Sequence, residues 1–241
     1  MVRAAWVMGW IAVVLTLDAH GSLTTQRLLG VATWLLLLAA LRRESTTVRI
    51  QTAVVVVFAT AMEYICSPLL EVYVYRFDNV PAYVPPGHGL VYLAAWSIGQ
   101  SDFVRRHLRG CLAAVVVAGG AYAMWGLFLG PRPDLLGALW FGCLVGFLAW
   151  GPSRPLYIGA FVVVTYLEIV GTALGTWTWQ SHDPTGWIPI GNPPSGAAGG
   201  YGWFDLAALL ATPYLLARLR RWRPALEPTP VRDVVDADQA V

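Results

Sequence analysis

Two glutamates, Glu63 and Glu168, stand deep inside long apolar segments of one chain, and each segment runs on into a similar loop rich in proline and glycine. The first segment reads MEYICSPLLEVYVYRFDNVPAYVPPGHGLVYLAAW over residues 62–96. The second reads LEIVGTALGTWTWQSHDPTGWIPIGNPPSGAAGGYGWFDLAAL over residues 167–209. The acids recur at an offset of 105, while Val80-Pro81 and Pro85-Pro86 meet Ile188-Pro189 and Pro193-Pro194 at 108. Leu93-Ala94-Ala95 meets Leu206-Ala207-Ala208 after a further insertion. A charged side chain in hydrocarbon costs about 2.5–3.5 kcal/mol on insertion scales, so an intramembrane acid is expected to line a cavity or pathway. Its recurrence in an apparent duplication points to a polar site between two related halves of a membrane protein.

Composition fixes that class. The chain is 57% hydrophobic and only 12% charged, with a mean hydropathy of +0.57, whereas about a quarter of an average soluble chain is charged. All 16 basic residues are arginine and are scattered over short loops, so the net charge of +2 gives no basic patch and argues against nucleic acid as a partner. Cys66, Cys111 and Cys143 are isolated in apolar runs and form no CxxC pair, which reads as small buried hydrophobes rather than disulfides.

A spanning helix needs about 20 mostly apolar residues, and about 17 suffice when end residues snorkel. The sequence accommodates eight such spans, near 4–20, 23–41, 52–75, 88–104, 110–130, 134–150, 155–179 and 198–217. The first has no A-x-A-like cleavage site before Asp18-Ala19-His20 and is read as a span rather than a signal peptide. The expected fold is therefore an all-α polytopic membrane protein of two four-helix repeats, residues 1–104 and 105–221, followed by a disordered acidic tail over 222–241. Four is even, so the repeats should run parallel, related by an axis along the membrane normal. With the N-terminus inside, thirteen arginines fall on the cytoplasmic side and three (Arg27, Arg76 and Arg132) outside. This places the chain in a bacterial inner membrane with both termini cytoplasmic and with loops 76–87 and 180–197 outside.

On helices of those lengths Glu63 and Glu168 would stand about a dozen residues from one end, near mid-membrane. A structural hydrogen bond to a neighbouring helix is the simpler role of either one alone. Desolvation favours the neutral form of an acid, and a neutral carboxylic acid in lipid is what a proton donor requires. Tyr64, Pro68, Glu71 and Tyr75 form a helical stripe expected to face inward, with Tyr64 and Glu71 as candidate substrate contacts; it matches Glu168, Thr172, Gly175 and Trp179 at an offset of 104. Tyr73, Tyr75, Trp177 and Trp179 are candidate substrate contacts, with duty in an interfacial aromatic belt as the alternative. His88, at the outer mouth of the fourth span, is a candidate proton donor or acceptor, or else a polar cap. Asp205, opposite Tyr92 in the LAA alignment, needs a partner at its depth and joins the catalytic candidates. Asn192 is a candidate substrate contact, and turn formation is the simpler role for it and for Asp183. No Walker loop, Asp-rich magnesium motif or His/Cys cluster is present, nor any lysine able to hold retinal, so neither a metal nor another cofactor is expected.

The run E-x7-E-x-Y-x-Y, VPAYVP and LAAW, followed by E, W-x-W, IPIGNPP and G-Y-G-W, resembles the carotenoid-synthesis membrane family that includes bisanhydrobacterioruberin hydratase. The likeness covers residues 60–100 and 165–210 with loose spacing, and Pro68-Leu69-Leu70-Glu71 stands where a GFPFG-like stretch would precede the Tyr-x-Tyr. The resemblance implies a polytopic enzyme that adds water across a terminal double bond of a long polyene. The expectation is thus acid-initiated hydration, cyclisation or isomerisation of an apolar isoprenoid lipid in the bilayer. Glu63 or Glu168 would be the acid, with Asp205 and His88 as partner or base. A transporter built on internal repeats, or a non-catalytic subunit of a membrane complex, are the competing classes, and the oligomeric state is left open.

Overall fold

The computed structural model describes residues 2–222; the tail, expected to be disordered, lies outside the described residues apart from Trp222. The chain is mostly helical. Its helices are α1 (Val2–His20), α2 (Leu23–Leu41), α3 (Thr46–Tyr64), α4 (Val84–Gly99), α5 (Asp102–Arg106), α6 (Leu108–Phe128), α7 (Leu135–Trp150), α8 (Arg154–Ala173) and α9 (Ala197–Trp222). Among the described residues, five segments are long and apolar enough to cross a membrane: α1, α2, α3 with its extension to Leu69, α6 and α8. Leu28, Leu35, Val57, Val117, Phe128 and Trp150 are exposed on them or on their neighbours, as suits helices whose outer surface meets lipid.

Two expected helices are shorter than their apolar runs. The segment expected to be helical over 52–75 leaves the α-helix at Tyr64 and forms a π-helical turn, Ile65–Leu69, containing Pro68. It then turns at Glu71, whose φ is 50°. The segment expected over 155–179 ends at Ala173 and turns at Gly175, φ 67°. There the Thr176 and Gly175 N–H groups close on the Gly171 and Thr172 carbonyls, satisfying the last carbonyls of α8. Past each turn the chain is extended: β1 (Tyr73–Tyr75) pairs antiparallel with β2 (Trp177–Trp179). The β-branched and aromatic content of Tyr-Val-Tyr and Trp-Thr-Trp suits strands, which the apolar character of the run concealed.

Short turns make successive long helices alternate in direction. The α1–α2, α3–α4, α6–α7 and α8–α9 connections therefore lie at the ribbon end. The opposite end holds the α2–α3, α4–α6 and α7–α8 connections, and with them Arg3, Arg42, Arg43, Arg49, Arg105, Arg106, Arg109 and Arg154. Here arginines close helix C-termini: Arg49 donates to the Leu41 and Arg42 carbonyls (2.8 Å each), Arg154 donates to Ala149, and Arg3 pairs with Glu44.

The centre is a square of helices in which α3 packs on α4, α4 on α8, α8 on α9 and α9 on α3. The units α3–β1–α4 and α8–β2–α9 occupy equivalent places around the ribbon, so the α4–α8 seam corresponds to the α9–α3 seam. The outer helices break this correspondence. α1 lies against both α4 and α8, whereas α6 packs on α7 and α8. At the α4–α8 seam Gly159 lies against the backbone of Ala95, leaving no room for a side chain. Gly159→Val should lower stability by about 1–3 kcal/mol through overpacking, read as thermal unfolding in detergent. Gly142 faces open space, and Gly142→Ala in the same assay should leave stability unchanged or raise it by up to about 1 kcal/mol.

Candidate functional site

The chain reversals determine the site. Glu63 and Glu168 lie within about two turns of the ends of their helical segments rather than midway along longer helices, and the ribbon folded back over them buries both. Residues i and i+2 of a strand share a face, so Tyr73, Tyr75, Trp177 and Trp179 all turn inward while Thr178 is exposed. Tyr73 pairs with Trp179 and Tyr75 with Trp177, with ring centroids 4.5 and 6.1 Å apart.

Each half uses its own rings to serve its own acid. The Tyr73 and Tyr75 hydroxyls donate to Glu63 Oε2 at 2.7 and 2.8 Å. The Trp177 and Trp179 indoles donate to Glu168 Oε2 at 3.1 Å each. The remaining oxygen of Glu63 meets His88 Nε2 at 2.8 Å. Tyr201 stands beside Glu168. α4 and α9 begin at Val84 and Ala197, the same offset of 113 that relates the two LAA runs, and this offset places Tyr201 opposite His88. The two rings lie 5.3 Å apart. The proline offset of 108 would instead put Gly196 opposite His88, because Pro85-Pro86 lie in the first turn of α4 whereas Pro193-Pro194 precede α9.

The one-residue disagreement between the glutamate offset and the stripe offset also has a structural cause. The first half has one residue more between its glutamate and its left-handed turn, and the π-helical turn absorbs it, as π-bulges do. Glu63 and Glu168 are therefore equivalent, and Glu71 corresponds to Gly175.

Both glutamates line one cavity of about 590 Å³, within the range of small-molecule sites. Its wall is mostly apolar, from α1 (Trp10, Ile11, Val14) through Met62 and Leu90 to Leu206 and Leu210 on α9. His88 and the four ribbon rings face it as well. Other candidates stand elsewhere. Tyr64 is 56% exposed and Glu71 is exposed in its left-handed turn; both lie outside the cavity lining, because the π-helical turn and the reversal interrupt the helical stripe that would have aligned them with Tyr75. Asn192 is exposed and accepts from the Trp179 N–H at 3.0 Å, so it positions β2. Asp205 is buried one layer away, beside Tyr92 and Tyr157, on a void of about 10 Å³ that it shares with His88 and Tyr201. Asp183 shapes its exposed loop, where the Thr185 hydroxyl and backbone N–H groups hold its carboxyl below the usual range. Among the described residues no cluster suited to a metal ion is present.

Two buried acids outside the candidate set fix the loops. Asp18 accepts from Gln26 and from the Tyr83 hydroxyl, both at 3.0 Å, and Arg76 donates to the Asp18 and Gly21 carbonyls of the same turn. Asp134 caps α7 at the Gly137 N–H and also accepts from Gly191 N–H and from the N–H and hydroxyl of Ser195. Arg132 reaches the Trp179 carbonyl at 2.8 Å. The signal for Asp134 lay in the sequence as an aspartate directly before an apolar run, the pattern of an N-cap.

Comparison with protein-family models, with curated proteins and with solved structures yields no match. Asp134→Ala would leave three buried N–H groups without their acceptor. It should cost at least about 2 kcal/mol and loosen loop 180–196, read as lower thermal stability together with faster amide exchange in that loop.

Proposed function

We propose that the protein is an intramembrane enzyme that protonates an alkene of an apolar, isoprenoid-like lipid and then hydrates, cyclises or isomerises it. The observation that carries this reading is the pairing of two differently served carboxyls in one apolar, aromatic-walled cavity. An indole N–H can only donate, so Glu168 Oε2 is held as an acceptor and Oε1 is the oxygen that carries the proton to the substrate. Transfer of that proton to a terminal alkene carbon leaves a carbocation on its neighbour. The aromatic faces of the ribbon stabilise the cation. In hydration, water adds to the cation and loses a proton to the Glu63–His88 pair; in cyclisation or isomerisation that pair takes the proton from an adjacent carbon. Either route returns the substrate to neutrality, and Tyr201, which stands beside Glu168 with its ring 5.3 Å from that of His88, would pass the proton back to Glu168.

Carriers set the substrate at breaks within helices; here α8 is regular through Glu168, whereas α3 gives way to a π-helical turn two residues past Glu63, so a carrier remains the competing reading. In the same proposal the eight long helices all cross the membrane as two parallel repeats, with the arginine-rich end cytoplasmic. Reporter fusions after residues 82 and 190 should then both read outside, and disagreement between them would remove the parallel repeat.

Glu168→Gln keeps size and hydrogen bonding but delivers no proton, so lipid conversion should vanish with the fold intact. Glu168→Asp sets the acid back by roughly 1 Å and should retain activity lowered by about 10²-fold. Glu63→Gln should impair the proton-accepting half. Full conversion by both Gln variants, with reduced stability in detergent, would show that the glutamates are structural. The readout is mass spectrometry of lipid extracts from a deletion strain complemented with each variant.

A further inference from the structure

One side of the helix square is covered by an outer helix and the other is bare among the described residues. At the α4–α8 seam α1 lies across both helices, and Ile11, Val14 and Leu15 seal the wall as buried residues. The corresponding α3–α9 seam has no such cover among the described residues, since α6 packs on α7 and α8. On α3 and the π-helical turn that extends it, the cavity residues Phe58, Met62 and Cys66 follow one another at i, i+4 and i+8. On α9 Trp203, Ala207 and Leu210 follow at i, i+4 and i+7. Each set forms one helical stripe. Three of these lining side chains are also substantially exposed: Phe58 by 37%, Trp203 by 50% and Leu210 by 57%. Beside the α9 stripe, Phe204 meets Phe58 edge to face at 5.4 Å across the seam, while Trp203 packs edge to face on Phe147 of α7 at 5.2 Å. The cavity lining on α9 runs from Ala197 to Leu210, a rise of about 20 Å, from the ribbon toward that surface.

We propose that the α3–α9 seam is a lateral portal. One end of a long apolar chain passes through it to the glutamates, and the rest of the chain stays between Phe58, Trp203, Leu210 and the bilayer. The inference rests on reading the cavity as a lipid site and adds the route and orientation of the substrate. The occupant is a hydrocarbon chain because the seam is continuous with the cavity and every side chain on its two stripes is apolar. The carboxyls and the imidazole of the lining, at Glu63, Glu168 and His88, lie at its ribbon end. A substrate with a bulky polar group at the reacting end is excluded, since that group would have to pass between Phe58 and Phe204.

The test uses the full chain in lipid nanodiscs and a twenty-carbon linear isoprenoid hydrocarbon bearing a photoreactive diazirine at its isopropylidene head or at its opposite tail. Cross-links are mapped by peptide mass spectrometry. The head probe should label the peptides of Tyr73, His88 or Trp177, and the tail probe those of Phe58–Cys66 and Trp203–Leu210. Leu210→Trp, at an exposed position that tolerates bulk, should cut tail labelling by about tenfold, the equivalent of 1.4 kcal/mol. Val57→Trp, exposed on α3 away from the cavity, should leave it unchanged. Tail labelling on α1 around Trp10 and Val14, or equal labelling in Leu210→Trp, would overturn the portal. Cross-linking of one copy to another through α3 and α9 would overturn it too, by showing that a second copy covers the seam. Labelling reads occupancy rather than turnover. Loss of the portal with lipid conversion still abolished in Glu168→Gln would leave the enzyme reading intact, and the converse pattern would leave only the portal.

Discussion

A carboxyl withdrawn from water has to be given hydrogen-bond donors by the protein, and the centre of this molecule is arranged around meeting that requirement twice. Helices cannot supply the donors from their own backbones, which are already bonded within the helix. The chain therefore ends α3 and α8 shortly after their glutamates, reverses, and brings back a strand whose alternate rings carry O–H or N–H groups. The two strands satisfy each other's backbones by pairing. The loops leaving them are tied down in turn by Asp18 with Arg76 and by Asp134 with Arg132. The ribbon, the reversals and the clamped loops are thus successive consequences of two unhydrated acids.

The same plan is executed with different chemistry in the two halves. Tyrosine and histidine both accept and donate, and they surround Glu63. Tryptophan only donates, and two tryptophans hold Glu168. The two carboxyls thus differ in their partners: the groups at Glu63 can accept a proton as well as donate one, and the indoles at Glu168 can only donate.

Much of this was legible in the sequence. The two acids, the Y-x-Y and W-x-W pairs and His88 were all singled out from apolar runs, and they converge on one cavity. The strands were not legible, because Tyr-Val-Tyr and Trp-Thr-Trp extend an apolar run without interruption and hydropathy cannot separate a helix from a strand that folds back upon it. Tyr201 was hidden by a gap: the proline pair and the LAA run imply different offsets, and only the start of α9 decides between them. The π-helical turn was visible solely as a misfit of one residue between two alignments. Asp205 was selected for its depth, correctly as to burial, yet depth along one helix does not say which neighbour the side chain faces.

The ribbon also bears on how the molecule could be divided. Tyr73–Tyr75 and Trp177–Trp179 each present one strand edge to the other, and in an apolar setting an unpaired edge is costly. Either half alone could keep its own carboxyl served by its own rings, yet would carry a row of unmatched peptide groups over its helix ends. Cut between α5 and α6, the protein becomes two fragments, each holding the complement of the other's exposed edge. Fragments translated together would regain that backbone pairing only by reassembling.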